Sequence, residues 1–232
     1  LARPARGTGR ILVTGGAGRL GRVVCGLLND AVLHHRALVR PRSDRAWVTG
    51  DKTWLIDGDL TRPDTLAGPL EGVHEVLHLA GLVRSSDPAA LQALHVDGTR
   101  ALIRAAQEAG VRRIVAVSSD TVLRAVRSAY GESKAEMESL LRDAAGPELS
   151  VVVLRPPMIL GPGSPHLGSL EAAARRRLTP IPARSAPRAP VHVQDVAAAV
   201  LAARALPEEA APDGFLALDL PGAEAVSFGD LV

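Results

Sequence analysis

Tyr130 and Lys134 are the two side chains whose types and spacing are best suited to moving a proton. Tyr130 is the single tyrosine in 232 residues, and Lys134 is one of two lysines beside 25 arginines. On a helix, a spacing of four places both side chains on one face, about one turn apart. A nearby ammonium favours the phenolate over the phenol, whose ordinary pKa is about 10. Such a pair can pass a proton to or from a carbonyl or hydroxyl group. In isolation the pattern more often marks a surface tyrosine beside a solvated lysine, so the surrounding elements decide.

A glycine-rich turn near the start of the chain predicts an anion-binding site. The apolar, β-branched segment 10–14 precedes Gly15-Gly16-Ala17-Gly18-Arg19-Leu20-Gly21, and an amphipathic stretch runs on to about residue 28. Strand, turn and helix in this order are the context in which Gly16-x-Gly18-x-x-Gly21 indicates dinucleotide binding. The helix N-terminus would present N–H groups and its positive dipole end to a pyrophosphate. A glycine turn without a ligand is the alternative.

Arg40 follows the second predicted strand, 37–39, nineteen residues after Gly21. In NAD-binding proteins an acidic residue about 20 positions beyond the glycine motif accepts the adenosine ribose hydroxyls. A guanidinium at that place instead suits a 2′-phosphate, with Arg42 or Arg19 as helpers. NADP(H) is therefore the predicted cofactor, and NAD(H) remains open because Arg40 is also compatible with a solvated strand end.

The remaining strand and helix signals alternate along the chain. Strands are predicted at 54–56, 76–81, 113–117 and 151–154, and helices at 89–109 and from Tyr130 to about residue 145. This alternation predicts an α/β fold with a doubly wound parallel sheet, the Rossmann fold. We expect residues 1–155 to form the dinucleotide-binding core, and 156–190 together with 207–232 to form a small C-terminal substrate-binding lid. A strand at 191–193 and a helix at 194–205 return to the core, a short helix is expected at 168–177, and a further strand at 215–220.

Composition excludes several classes of protein. Aromatic residues make up 2% and the net charge is +2, which gives little support for nucleic-acid binding. The seven histidines are scattered without a cysteine or carboxylate cluster, so no metal site is predicted. The single cysteine fits a reducing, cytoplasmic compartment, and no apolar run approaches the ~20 residues of a membrane span. We expect no signal peptide before the first strand, and from the start at Leu1 we expect a trimmed or partly ordered chain. The sequence leaves open whether the chain forms a homodimer.

In this order and spacing, the segments resemble the extended type of the short-chain dehydrogenase/reductase superfamily, the NAD-dependent epimerase/dehydratase family, over nearly the whole chain. The matching segments are the turn 14–21, Asp59-Leu60, His78-Leu79-Ala80-Gly81, Leu154–Pro157 and His192–Asp195. Val96–Thr99 is similar to the helix segment where the family usually has Asn, with Asp97 as a departure.

The resemblance implies roles for individual residues. Tyr130 would be the catalytic acid/base, Lys134 would hold the nicotinamide ribose and lower the phenol's pKa, and Ser119 would hydrogen-bond the substrate oxygen. Ser118 competes with Ser119, which we prefer because a one-residue shift on a strand reverses the direction of the side chain. The implied cofactor contacts are Gly15, Gly18, Arg19, Leu20, Gly21, Arg40, Asp59, Leu60, Leu79, Ala80, Gly81, Tyr130, Lys134 and Pro156. Only eleven positions separate Ser119 from Tyr130, so either this loop is unusually short for the family or residues of a longer loop are missing from the sequence.

The expected activity is that of an NADP(H)-preferring oxidoreductase that interconverts a ketone and a secondary alcohol on a small, largely apolar, steroid-like or polyketide-like substrate. Nucleotide-sugar members carry an Asn where this chain has Pro157–Leu160. A nucleotide-sugar epimerase or dehydratase with tightly held cofactor is the alternative, and a non-catalytic dinucleotide sensor is a third interpretation. An apolar lid would use Met158, Ile159, Leu160, Leu167 and Leu170, whereas a diphosphate would need cations from Arg155, Arg175, Arg176, Arg177, Arg184 and Arg188.

Overall fold

Seven parallel strands form the main sheet of the computed structural model, which describes residues 11–47, 50–83, 85, 87–164, 167–168, 172, 175 and 189–227. The strands are β1 (Ile11–Thr14), β2 (His35–Val39), β3 (Thr53–Asp57), β4 (Glu75–His78), β5 (Arg113–Val117), β6 (Ser150–Arg155) and β9 (Phe215–Asp219). Their order across the sheet is β3-β2-β1-β4-β5-β6-β9. Two short strands, β7 (Ile159–Leu160) and β8 (Val191–His192), pair separately. The predicted doubly wound α/β fold is confirmed.

Helices cover both faces of the main sheet. They are α1 (Arg19–Asp30), α2 (Ala67–Leu70), α3 (Pro88–Leu91), α4 (Gly98–Glu108), α5 (Ala129–Ala144) and α6 (Val193–Arg204). Neighbouring strand residues point to opposite faces. Leu12 therefore packs in the cluster containing Leu102 of α4 and Met137 of α5, whereas Val13 packs in the cluster with Val24 of α1 and Val200 of α6. Burial on both faces explains why the strands read as continuous apolar runs.

The helix predicted at 89–109 is interrupted. After α3 the chain forms a π-helical segment, Gln92–Asp97, before α4 begins at Gly98. The side-chain pattern is helical throughout, so periodicity alone cannot separate this wide turn from the α-helices around it. The interruption matters for the site, because it carries a buried histidine described below.

The further strand predicted at 215–220 is present as β9, and it lies in the main sheet. Residues 207–232 were expected to cover the substrate, but Phe215–Asp219 pairs in parallel with β6 over its full length, for example Val153 with Ala217. Its apolar residues therefore belong to the main sheet. Most of the predicted helix at 168–177 lies outside the described residues, and the division between core and lid stays a prediction.

Candidate active site

The glycine turn between β1 and α1 has the geometry of an anion cradle. Gly15 has a φ of +70°, and its carbonyl accepts the Gly18 N–H at 2.8 Å. No side chain caps the N-terminus of α1, and its first turn holds no acidic residue. The N–H groups at Arg19, Leu20 and Gly21 therefore meet no side-chain acceptor from the cap position, which suits a pyrophosphate.

The segment after β4 lies against this turn. The Leu79 N–H donates to the carbonyl oxygen of Thr14, and the Ala80 N–H donates to the Thr14 hydroxyl oxygen, each at 3.3 Å. A Cβ at Gly15 would lie 2.7 Å from the Ala80 nitrogen, so a side chain there would force the two segments apart. The predicted cofactor residues Gly15, Leu79 and Ala80 are thus brought together by backbone packing.

Three other predicted cofactor residues lie at the same carboxyl edge of the sheet. Asp59 accepts the N–H and the hydroxyl of Thr61 at 2.9 and 2.8 Å through one carboxylate oxygen. Leu60 is buried. Pro156 is also buried, and its carbonyl accepts the Asp120 N–H at 3.1 Å. Pro156 therefore fixes the end of β6 to the loop after β5.

Arg40 lies exposed at the end of β2, and Arg42 is exposed two residues later. Within the described residues, neither guanidinium forms an ion pair, whereas the neighbouring Arg45 pairs with Asp57. Arg19, which was considered as a helper of Arg40, instead donates a hydrogen bond to the Gly163 carbonyl at 2.5 Å. Arg40 and Arg42 are therefore the better placed pair for a 2′-phosphate.

Helix α5 positions Tyr130 and Lys134. Ser128 caps its start by accepting the Gly131 N–H at 3.3 Å, so Tyr130 lies in the first turn. Lys134 is buried one turn later, and its ammonium donates to the Val117 carbonyl at the end of β5 over 3.1 Å. Burial lowers the pKa of Lys134 to about 8, against the opposing charge of Glu138.

The pKa of the Tyr130 phenol is raised in the protein alone, whereas a nearby ammonium was expected to lower it. Burial raises its pKa, the nearby Asp120 carboxylate raises it further, and a hydrogen bond with Ser119 opposes both. Desolvation therefore outweighs any stabilisation of the phenolate in the protein alone. The lowered phenol pKa remains a prediction for the protein with its oxidised cofactor.

Of the two candidate serines, Ser119 is the one whose hydroxyl lowers the pKa of the phenol. The same hydroxyl donates to the Asp120 carboxylate and accepts the Thr121 N–H, each at 3.3 Å. Ser118 is also buried, but its hydroxyl has no partner within the described residues, and the same is true of the Thr121 hydroxyl. A short 3₁₀ turn, Asp120–Leu123, follows Ser119 and leads to α5. The eleven-residue step therefore suffices to bring serine and tyrosine together.

The Lys134 ammonium and the segment after β4 approach each other at Gly81. A Cβ on Gly81 would lie 3.5 Å from the Lys134 ammonium and 3.6 Å from Nε2 of His95. The site thus combines Ser119, Tyr130 and Lys134 with the glycine-bearing edge of β1 and β4. A proton donor, a cation and a dinucleotide cradle in one cleft can serve a hydride-transfer reaction.

His95 is the residue that sequence reasoning missed. It lies on the π-helical segment, is buried, and places its ring edge-on to Tyr130 with the centroids 5.7 Å apart. Asp97, noted as the departure from the family pattern, is exposed and pairs with Arg100 at 2.7 Å. The sequence offered one signal for His95, its position two residues before Asp97 in the segment that resembles the family. That signal does not reveal the contacts of the ring, because these depend on the π turn.

Only some of the arginines proposed to bind a diphosphate lie within the described residues. Arg155 binds both oxygens of Glu138, at 2.7 to 3.1 Å, and pairs with Asp219 at 3.5 Å. Arg175 is exposed. The apolar candidates Met158, Ile159, Leu160 and Leu167 are half-buried. Five predicted residues lie outside the described part: Leu170, Arg176, Arg177, Arg184 and Arg188.

Sequence comparison identifies the family. A sequence profile of the NAD dependent epimerase/dehydratase family matches residues 11–216. The chain belongs to this family. It is 34% identical over 203 residues to the ceramide reductase of Caulobacter vibrioides, covering 87% of this chain and 62% of that protein. It is 32% identical over 170 residues to the 4-hydroxy-2-methyl-3-oxo-4-farnesyl-3,4-dihydroquinoline-1-oxide ketoreductase of Stigmatella aurantiaca, covering 66% of this chain and 51% of that protein. The chain thus spans between half and two thirds of the length of these curated relatives.

Solved structures show the same fold. MoeE5 in complex with UDP-glucose and NAD superimposes with a TM-score of 0.79 at 28% identity, over 96% of this chain and 79% of that one. Within the described residues, no helix has both the length and the apolar character that a bilayer crossing needs. The same residues contain no group of three or more candidate metal-binding side chains.

Proposed function

We propose that this chain supports an NAD(P)-dependent oxidoreductase reaction between a ketone and a secondary alcohol on a largely apolar substrate. The observation that carries this proposal is the meeting of Ser119, Tyr130 and Lys134 at the carboxyl end of β5, beside the glycine turn. The cofactor, bound over the turn and the segment after β4, supplies or accepts the hydride. The protein's part is to hold the substrate oxygen and move its proton.

In the reductive direction, Ser119 donates a hydrogen bond to the carbonyl oxygen and Tyr130 donates its proton to the developing alkoxide. For the reverse direction near pH 7, the phenol must lose its proton, although burial raises its pKa. Moving a phenol from its ordinary pKa of about 10 to about 7 requires roughly 4 kcal/mol, and the raised pKa of Tyr130 adds to that requirement. The Lys134 ammonium, together with oxidised nicotinamide, provides positive charge in a partly dry cleft, where such interactions are strong.

The rim of the site supports an apolar substrate. Three large hydrophobic side chains on the loops after β4 and β5 are exposed: Val83 at 50%, Leu123 at 56% and Val126 at 87%. Both loops leave the carboxyl edge of neighbouring strands, where ligands bind in this fold. Apolar surface left exposed beside a cleft favours a partner with apolar surface of its own. The names of the two curated relatives, a ceramide reductase and a ketoreductase of a farnesylated quinoline, agree with this substrate class.

A nucleotide-sugar epimerase or dehydratase is the second candidate, because MoeE5 holds UDP-glucose on the same fold. The binding of Arg155 to Glu138 argues against it, since that guanidinium is already neutralised. NADP(H) is the proposed cofactor because Arg40 and Arg42 are exposed beside the expected adenosine ribose and form no ion pair within the described residues. NAD(H) is the alternative.

The experiment is a substrate screen with the purified protein. NADPH and NADH oxidation would be followed with apolar ketones, including a 3-ketosteroid and a long-chain 3-ketone, and separately with UDP-glucose and UDP-galactose for sugar interconversion. Tyr130→Phe serves as the matched control, because it removes one hydroxyl and keeps the ring. Reduction of ketones that requires Tyr130 supports the proposal. Conversion of a nucleotide sugar without net cofactor consumption would replace it with the epimerase function.

A further inference from the structure

His95 is a buried side chain in which both ring nitrogens are committed to hydrogen bonds. Its Nε2 accepts the Leu82 N–H at 2.9 Å, and its Nδ1 lies 2.9 Å from the Ser133 hydroxyl. The Ser133 hydroxyl in turn donates to the Tyr130 carbonyl at 2.9 Å. The ring therefore connects the segment after β4 with the first turn of α5, two parts of the chain that approach each other at the site.

These contacts fix the protonation of the ring. Because Leu82 can only donate, Nε2 must carry a lone pair. Because Ser133 uses its proton toward Tyr130, Nδ1 must carry the hydrogen. The chain of donation thus runs from Leu82 through His95 and Ser133 to the Tyr130 carbonyl, and it requires a neutral imidazole.

The surroundings favour that neutral form. His95 is buried and faces the ammonium of Lys134 and the ring of His78, and burial with both neighbours lowers its pKa to about 3. An imidazolium would also place a second N–H against the Leu82 N–H. The ring is therefore neutral at pH 7.

The backbone supports the same placement. His95 lies in the π-helical segment Gln92–Asp97, between α3 and α4. A π turn adds a residue to the helical turn and is frequent at functional sites. Here the turn carries the His95 ring, which reaches both Leu82 and Ser133 and lies edge-on to the Tyr130 ring.

We propose that His95 is a positioning residue that sets the separation between the Gly81–Leu82 segment and the Tyr130–Lys134 turn. This proposal rests on the proposed function, since the first segment is assigned to the nicotinamide half of the cofactor and the second to the acid/base pair. Its mechanism is mechanical: two short hydrogen bonds through one rigid ring hold a fixed gap. Both nitrogens of a buried imidazole need hydrogen bonds whatever its role, but here the two bonds join the segment after β4 to α5.

Three substitutions separate a positioning role of His95 from a space-filling one. Gln carries its amide at about the reach of Nε2, so His95→Gln retains an acceptor for the Leu82 N–H. Asn carries its amide at about the reach of Nδ1, so His95→Asn retains only a partner for Ser133. His95→Phe keeps the ring and its edge contact with Tyr130 and loses both bonds.

The first readout is the dissociation constant for NADPH, measured by fluorescence with the full chain. We expect His95→Phe and His95→Asn, which both lose the acceptor for the Leu82 N–H on the segment assigned to the cofactor, to weaken NADPH binding about tenfold, the equivalent of that one lost hydrogen bond. His95→Gln should stay within about threefold of the wild type. Titration of Tyr130, followed by phenolate absorbance, checks that His95→Phe preserves the packing of the single tyrosine. Urea unfolding gives the stability of each variant.

The outcomes are decisive without a known substrate. If Gln and Asn bind NADPH equally, or if Phe binds it as the wild type does, the positioning role is refuted. The Gln and Asn pair alone decides the matter should His95→Phe not fold. Ketone reduction is a separate measurement: an absence of activity in the wild type would refute the proposed function, whereas the graded NADPH affinities would still establish His95 as a positioning residue.

Discussion

Replacing Lys134 by methionine should stabilise the fold at neutral pH, because the wild-type protein buries an ammonium. The pKa of Lys134 falls from 10.5 to about 8, which corresponds to about 3 kcal/mol of destabilisation below pH 8 at about 1.4 kcal/mol per pH unit. Met has a similar length and shape and needs no hydration. It loses the hydrogen bond to the Val117 carbonyl, worth about 1 kcal/mol. The expected net gain for Lys134→Met at pH 7 is therefore about 2 kcal/mol.

The sign of the pH dependence follows from proton counting. Between pH 8 and 10.5 the unfolded wild-type chain binds more protons at Lys134 than the folded one, so wild-type stability rises with pH through this window. Methionine does not titrate. The advantage of Lys134→Met should therefore shrink above pH 8 and disappear near pH 10. Tyr130 interferes little in this window, because burial raises its pKa and keeps the phenol mainly protonated up to about pH 10.

The assay is urea unfolding at several pH values from 7 to 10, followed by tryptophan fluorescence. The matched control is Lys52→Met, because Lys52 is the only other lysine and pairs with Asp51 at the surface over 2.7 Å. It should show no comparable pH-dependent gain. A Lys134→Met protein that is less stable than the wild type at pH 7, or whose gain is constant with pH, would show that desolvation does not dominate at this site.

Three further predictions concern the proposed reaction. Tyr130→Phe should abolish turnover and leave the NADPH dissociation constant nearly unchanged, and full activity in steady-state assays would mean that the proton comes from another group. Arg40→Asp should reverse a preference for NADPH over NADH of about tenfold or more, since a charge-assisted contact is worth roughly 1.5–3 kcal/mol; equal affinities of the wild type for both cofactors would remove the role of Arg40. Because Tyr130 is the single tyrosine, phenolate absorbance reports its pKa directly, and this pKa should lie above 10 in the protein alone and fall when NADP⁺ is added. A value that does not move with NADP⁺ would contradict the proposed electrostatic role of the cofactor.

The sequence predicted the parts of the molecule that depend on local pattern. The glycine turn, the parallel strands and the helix through Tyr130 and Lys134 each follow from periodicity or from residues within a few positions of one another. Residues 207–232, which include β9, were assigned to the lid because they show no strong periodicity, whereas β9 pairs with β6, some 60 residues earlier in the chain. No local pattern reveals such a pairing.

The site shows the same limit. Ser119 and Tyr130 could be proposed from their motifs, but the direction of the phenol's pKa shift could not. That direction depends on how much water the folded site removes and on Asp120, whose position depends on the turn after β5. His95 was set aside as an isolated histidine, because its importance arises only when the π turn brings it to Leu82 and Ser133.

The contacts of Lys134 also explain why an arginine after β6 does not argue for a diphosphate. A buried ammonium requires a counter-charge nearby, and Glu138, one turn further along α5, raises the pKa of Lys134 against the effect of burial. A buried carboxylate needs hydrogen bonds of its own, which Arg155 gives to both of its oxygens. Arg155 lies at the end of β6 and is held by Asp219 of β9 as well. The main sheet therefore supplies the charges that hold the Glu138 carboxylate in place, and a guanidinium committed in this way is less available for recognition of a phosphate.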